Sequence, residues 1–103
     1  MKRDGIGSDR PGSPRLHAAF PNPFAGSTTV RFYLPETQRV AVGVYDVMGR
    51  LTKSLLDAPR ASGIHEVGWD GTDSRGHPAT AGVYFLRIET AGASLVEKTI
   101  LVR

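Results

Sequence analysis

The stretch Tyr45-Asp46-Val47-Met48-Gly49-Arg50 sets a carboxylate four residues from a guanidinium, beside a phenol and a glycine. A carboxylate in that company can serve as an acid–base group, an ion-pair epitope or the corner of a hairpin. The spacing favours the corner. Asp at position i with Gly at i+3 is the grammar of a type I turn, in which the carboxylate accepts backbone N–H groups and glycine takes the left-handed conformation that rejoins the strands. The next strand is predicted to begin at Leu51, with Arg50 as a solvated strand residue. Asp73 and Gly76 repeat the spacing within WDGTDSRGH, and repetition belongs to turns rather than to an active site.

The other groups able to do chemistry are sparse. Asp70 and Asp73 are hard oxygen donors and raise a calcium loop as one reading. An EF-hand loop takes ligands at positions 1, 3, 5 and 12 with glycine at 6. Counted from Asp70, those later positions hold Thr72, Ser74, Ala81 and, in place of the glycine, Arg75. Asp70 is therefore expected to tie its own loop through side chain to backbone bonds. The three histidines fall in different settings: His17 in the leading segment, His65 in a strand and His77 in a turn. His65 and Glu66, as neighbours on a strand, point to opposite faces. With no cysteine, thiol catalysis, disulfides and thiolate metal sites are excluded. No G-x-S-x-G elbow, G-x-G-x-x-G or P-loop spacing occurs. The residues predict no enzyme, no cofactor and no metal.

The elements that position these residues read as short strands. Twelve glycines and seven prolines in 103 residues mark many turns. Four basic residues face two acidic ones before Phe20, and nine face eight after it, so the +3 formal charge leaves the folded part nearly neutral. No basic stripe interleaved with aromatics supports nucleic-acid binding. No stretch approaches the roughly 18 apolar residues of a membrane helix, which predicts no membrane insertion. Residues 1–19, rich in Gly, Pro, Ser and charge, are expected to form a disordered linker or leader, with the domain at 20–103.

From Thr28 the pattern alternates with period two. Val30, Phe32 and Leu34 share one face, as do Val40, Val42 and Val44, and then His65, Val67 and Trp69. LTKSLLD is a weaker strand, and APRASG is predicted as a loop. In GVYFLRIE, Tyr84, Leu86 and Ile88 oppose Val83, Phe85 and Arg87; in the last run, Val96, Lys98, Ile100 and Val102 oppose Leu95, Glu97, Thr99 and Leu101. Prolines on both sides of Asn22 are expected to hold it extended at a sheet edge. These runs predict an all-β fold, a small antiparallel β-sandwich of six to seven strands.

PNPFAGSTTVRFYLPE, VYDVMGR, HEVGWDGTDSRG, AGVYFLRIE and EKTILVR, in that order and spacing, resemble one family. It is that of the type IX secretion C-terminal sorting domain and its close relative, the immunoglobulin-like domain of the flagellar hook-capping protein. The resemblance implies an Ig-like sandwich that follows a passenger domain and contacts the secretion translocon and sorting machinery. It places the protein, by way of the periplasm, at the surface of a Gram-negative bacterium or outside it. It also implies a recognition motif at Pro21, Asn22, Pro23 and Phe24, at Tyr45, Asp46, Gly49 and Arg50, at Gly82 and Tyr84, and at Lys98. The relative implies instead a structural or assembly role, with self-association through an edge strand as one route.

Overall fold

Seven strands and no helix make up the computed structural model, which describes residues 13–103. They are β1 (Arg15–Phe20), β2 (Thr28–Leu34), β3 (Gln38–Tyr45), β4 (Leu51–Arg60), β5 (Gly63–Trp69), β6 (Gly82–Thr90) and β7 (Ala93–Leu101). A three-stranded sheet in the order β1-β2-β5 faces a four-stranded sheet in the order β4-β3-β6-β7, and every pairing within them is antiparallel. This is the expected all-β sandwich.

Alternation builds the core. Val30, Phe32 and Leu34 from β2 meet Val40, Val42 and Val44 from β3 and Leu86 and Ile88 from β6, all essentially without solvent exposure. The inward face of β6 is the one that carries Tyr84, Leu86 and Ile88; that of β7 carries Thr99 and Leu101, leaving Val96 and Lys98 outside. Each large apolar side chain so buried contributes about 1.5–3 kcal/mol. At one end of the sandwich three aromatic rings interlock. Trp69 makes edge-on contacts with Phe24 at 5.4 Å and with Tyr84 at 5.0 Å, and its indole N–H is satisfied by the Thr72 carbonyl at 2.8 Å.

Three expectations are corrected. The domain does not begin at Phe20: residues 15–19, expected as linker, pair with β2 as strand β1, where only Ala19 is buried, so composition gave little sign of a strand. The rest of the expected linker, residues 1–12, lies outside the described residues. The loop expected at APRASG is shorter, because β4 runs on to Arg60 in register with Gln38, and Pro59 is tolerated on this edge strand. Finally, Asn22 is not part of an extended strand. The Phe20–Pro21 and Asn22–Pro23 peptide bonds are both cis, and Asn22 sits in a bend.

That bend straps the open edge of β7. The Asn22 amide donates to the Lys98 carbonyl at 2.9 Å and accepts from the Ile100 N–H at 3.0 Å, so one side chain reproduces the donor and acceptor of a neighbouring strand. Two residues on, the Phe24 backbone takes over, donating to the Ile100 carbonyl and accepting from the Val102 N–H, both at 2.9 Å. The Thr28 hydroxyl holds the Pro21 carbonyl at 2.7 Å. Phe24, 2% exposed, is thus both an edge partner of β7 and a core residue. Phe24→Ala should cost about 3–5 kcal/mol, the usual cavity and transfer loss for a buried phenylalanine, read as a lowered urea midpoint with unchanged slope.

Candidate functional site

The Asp46–Gly49 corner closes as its spacing predicts. Gly49 N–H donates to the Asp46 carbonyl at 3.0 Å, and Asp46 N–H donates to the Arg50 carbonyl at 3.0 Å. One carboxylate oxygen, Oδ1, accepts the N–H groups of Met48 and Arg50, each at 2.9 Å. Arg50 is solvated as expected but is not a strand residue: it precedes β4, and its Nε donates to Asp46 Oδ2 at 3.1 Å. The loop at Asp73 repeats the bonds donated by backbone N–H groups. Gly76 N–H reaches the Asp73 carbonyl at 2.9 Å, and Asp73 Oδ1 accepts from Arg75 and His77 at 2.9 and 3.0 Å. Gly49 and Gly76 both have φ of 82°, the left-handed region where glycine is favoured.

These bonds stabilise the charged carboxylates. The Arg50 N–H, joined by the Met48 N–H and the Arg50 guanidinium, holds Asp46 below the ordinary carboxylate value; the His77 and Arg75 N–H groups do the same for Asp73. Asp70 is lowered first by the Thr72 hydroxyl. The Thr72 hydroxyl and N–H bond Asp70 Oδ1 at 2.6 and 3.1 Å, and Lys53 Nζ stands 3.6 Å from the same atom. An ammonium group therefore already stands beside this oxygen of Asp70. No cluster of three or more His, Asp or Glu suited to a metal occurs among the described residues.

The fold gathers the motif residues at one end of the four-stranded sheet. Tyr45 on β3 pairs with Phe85 on β6, and Phe85 pairs with Lys98 on β7. Leu51 on β4 completes a row across all four strands, on the face away from the core. The Tyr45 ring lies over Gly43, where an added Cβ would come within 3.2 Å of Tyr45 Cε1 and 3.1 Å of Leu51 Cδ1. Arg87 stacks on that ring at 4.3 Å from its centroid, a cation–π contact, and also pairs with Glu89 at 3.8 Å. Lys98 is exposed, with no carboxylate partner among the described residues. Asn22 sits beside it, bonded to its carbonyl.

Not every motif residue faces outward. Tyr84 is buried, its hydroxyl bonded to the Thr80 carbonyl, and burial followed by the nearby Asp46 charge raises its phenol above the ordinary value. Gly82 serves the backbone, with φ of 146° at the start of β6, and Phe24 serves the core. The motif surface that another molecule can touch comprises Pro21, Asn22, Pro23, Tyr45, the Asp46–Arg50 turn and Lys98. The sequence reading missed its remaining parts, Leu51, Phe85 and Arg87, whose common face follows only from the pairing register. The turn tip adds Val47 and Met48, 67% and 74% exposed. His65, expected in a strand, stacks on Phe32 at 5.6 Å and bonds the Ala61 carbonyl at 2.7 Å. His17 lies on β1 and His77 in the Asp73 loop.

Beyond Leu101, Arg103 latches the Asp70–Ala79 loop to the sheet by donating to the Gly71 carbonyl at 3.0 Å and the Ala79 carbonyl at 2.8 Å. The outer edge of β4 is guarded: Ser74 N–H caps the Thr52 carbonyl, and two register irregularities against β3 twist the strand, a device that discourages edge pairing.

A model of the FlgD Ig-like domain family matches residues 21–94. Among solved structures, dimeric latent PorU from Porphyromonas gingivalis aligns with a TM-score of 0.69 and 27% identity, over 87% of this chain and 9% of PorU. FlgD from P. aeruginosa aligns at 0.57 and 23% identity, over 87% of this chain and 74% of that one. PorZ, an essential surface component of the type-IX secretion system of Porphyromonas gingivalis, aligns at 0.58 and 22%, over 96% of this chain and 12% of PorZ. The last two likenesses speak to the fold. No curated protein matches the chain.

Two outcomes follow from the paired turns. An alanine Cβ at Gly49 or Gly76 meets no atom within 4 Å, so its cost is backbone strain alone. Gly49→Ala and Gly76→Ala should each lower stability by a similar amount, about 1–2 kcal/mol, in urea unfolding. Because the folded pKa values of Asp46 and Asp73 are depressed, their contribution is present above the ordinary carboxylate value of 3.8 and lost as pH falls below it through the folded values. The melting temperature should therefore drop on acidification through that window, and less steeply in Asp46→Asn/Asp73→Asn.

Proposed function

The chain belongs to the FlgD Ig-like domain family, and on that premise we propose that it is a non-catalytic sorting module, one that directs an exported bacterial protein through type IX secretion to the cell surface. One observation carries this reading. Residues 22, 45–50, 82–84 and 98, far apart in sequence, meet at one end of one sheet, and that end shows solvent an aromatic ring, a rigid turn and a lysine with no carboxylate partner among the described residues. A surface of this kind is suited to be read rather than to react: its carboxylate is already bonded by Met48 and Arg50. The partners are the translocon and sorting machinery, and a passenger domain preceding this one supplies the activity that is delivered.

A second reading is that the domain braces a neighbour in an assembly, as the FlgD family match favours. On this reading Tyr45 and Lys98 contact another domain of the same protein or a second copy. Calcium binding at Asp70 is the weakest reading, because Lys53 and Thr72 already contact one oxygen of that carboxylate.

The 103-residue chain, placed after a signal peptide and a reporter, should carry the reporter to the surface or the medium of a type IX-competent host. Lys98→Ala should cut export roughly tenfold, equivalent to about 1.4 kcal/mol of lost recognition, while leaving the melting temperature unchanged. Reporter held in the periplasm by the intact domain would overturn the sorting reading and leave the assembly role.

A further inference from the structure

The outer face of the three-stranded sheet carries no motif residue, yet it is grooved. Register sets three rows across it: Arg15, Tyr33 and Ile64; then His17, Arg31 and Glu66; then Phe20, Thr29 and Gly68. Two cavities of about 390 Å³ each follow these rows and share His17, so they form one groove along β1 and β2. A register irregularity in β1 between His17 and Phe20 lies beside the far end, where the Phe20 side chain stands 79% exposed. Gly68 adds no side chain opposite Thr29, which keeps that end open. Tyr33 and Thr29 are four residues apart, giving the groove a span of ~13 Å.

Its polar groups are placed for a particular chemistry. Arg31 spends Nε and Nη2 on one oxygen of Glu66, Oε2, at 3.0 and 2.6 Å. Nη1 and Oε1 take no part in these two bonds and leave a donor and an acceptor on the exposed pair. Adjacent hydroxyls, each both donor and acceptor, match that pair. The half-buried Tyr33 ring and the exposed Phe20 ring offer apolar faces on either side. Arg15, beside Tyr33 at one end, has no carboxylate partner among the described residues, and a guanidinium is shaped to take a carboxylate through two N–H groups. Arg15 gives the groove a cationic end, with Arg31 and Glu66 paired in the middle.

We propose that this groove binds an acidic oligosaccharide. A uronate ring lies on Tyr33 with its carboxylate on Arg15, adjacent hydroxyls bond Arg31 and Glu66, and a further sugar reaches Phe20. Charge complementarity at Arg15 selects the acid, and the central donor–acceptor pair selects the sugar over an acidic peptide. None of these residues belongs to the sorting motif, so the two proposals stand or fall separately.

The test is an amide chemical-shift titration of the ¹⁵N-labelled full chain with tri-galacturonate, tri-mannuronate, maltotriose and hexaglutamate. At least one of the two uronate trisaccharides should shift Arg15, Arg31, Tyr33 and Glu66 while leaving Lys98 and Ile100 in place, and should bind at least tenfold tighter than maltotriose. Arg15→Glu, an exposed change that leaves the core intact, and Tyr33→Leu, which keeps apolar bulk, should each weaken binding by about tenfold, near 1.4 kcal/mol. No shift with either uronate at ~10 mM, the weak limit of useful affinity, would overturn the proposal. So would hexaglutamate binding the same amides as tightly as the sugars, or uronate affinity unchanged in both variants.

Discussion

An asparagine side chain stands in for a strand, and the order of this domain's far end depends on it. Asn22 presents to β7 the same donor and acceptor a neighbouring backbone would, and Phe24 continues the pairing two residues later with its own N–H and carbonyl. Without this strap, the last turn-to-turn length of β7 would be a bare edge, with N–H and carbonyl groups open to water or to other chains. Because Phe24 also enters the Trp69–Tyr84 cluster, edge protection and core packing are joined in one residue. Strap, β7 and the β6 start then hold one another in place.

The consequence for function is geometric. Antiparallel pairing sets the end of β3 beside the start of β6, and β6 sets β7, so Tyr45, Phe85 and Lys98 form a row that no local pattern specifies. Gly43 lets the Tyr45 ring lie flat against the sheet, and Arg87 covers it from above. The Asp46 turn then projects Val47 and Met48 beyond that row on a corner made stiff by four hydrogen bonds within the turn. Its charges are spent on the corner itself. A surface built this way is held in shape by its own bonds, which limits the ordering entropy that any contact with it would cost.

The sequence was most informative where structure is local. Alternation in TTVRFYL and RVAVGVYD identified the buried faces of β2 and β3, because side-chain direction on a strand repeats every second residue. Asp46 and Gly49 announced their turn because all its bonds fall within five residues. What escaped was non-local. β1 buries only Ala19 and owes its existence to β2, so RLHAAF read as linker. Asn22 bonds residues more than 75 positions away, and no spacing rule reaches that far. The inward face of β7 includes Glu97 and Thr99, whose polarity hid a core side completed by Leu95 and Leu101. The motif order pointed to the right family while leaving open which of its residues face solvent; pairing register settles that Tyr45 and Lys98 do and that Tyr84 and Phe24 do not.

The strap's role can be read directly by native-state hydrogen exchange at Ile100 and Val102, whose amides donate to Asn22 and Phe24. In the intact chain both should be protected nearly as well as the central strand β3. In Asn22→Ala both should lose most of that protection while Val42 keeps its own. Protection at Ile100 and Val102 that survives the substitution would contradict the account, since some other contact would then be closing the edge of β7.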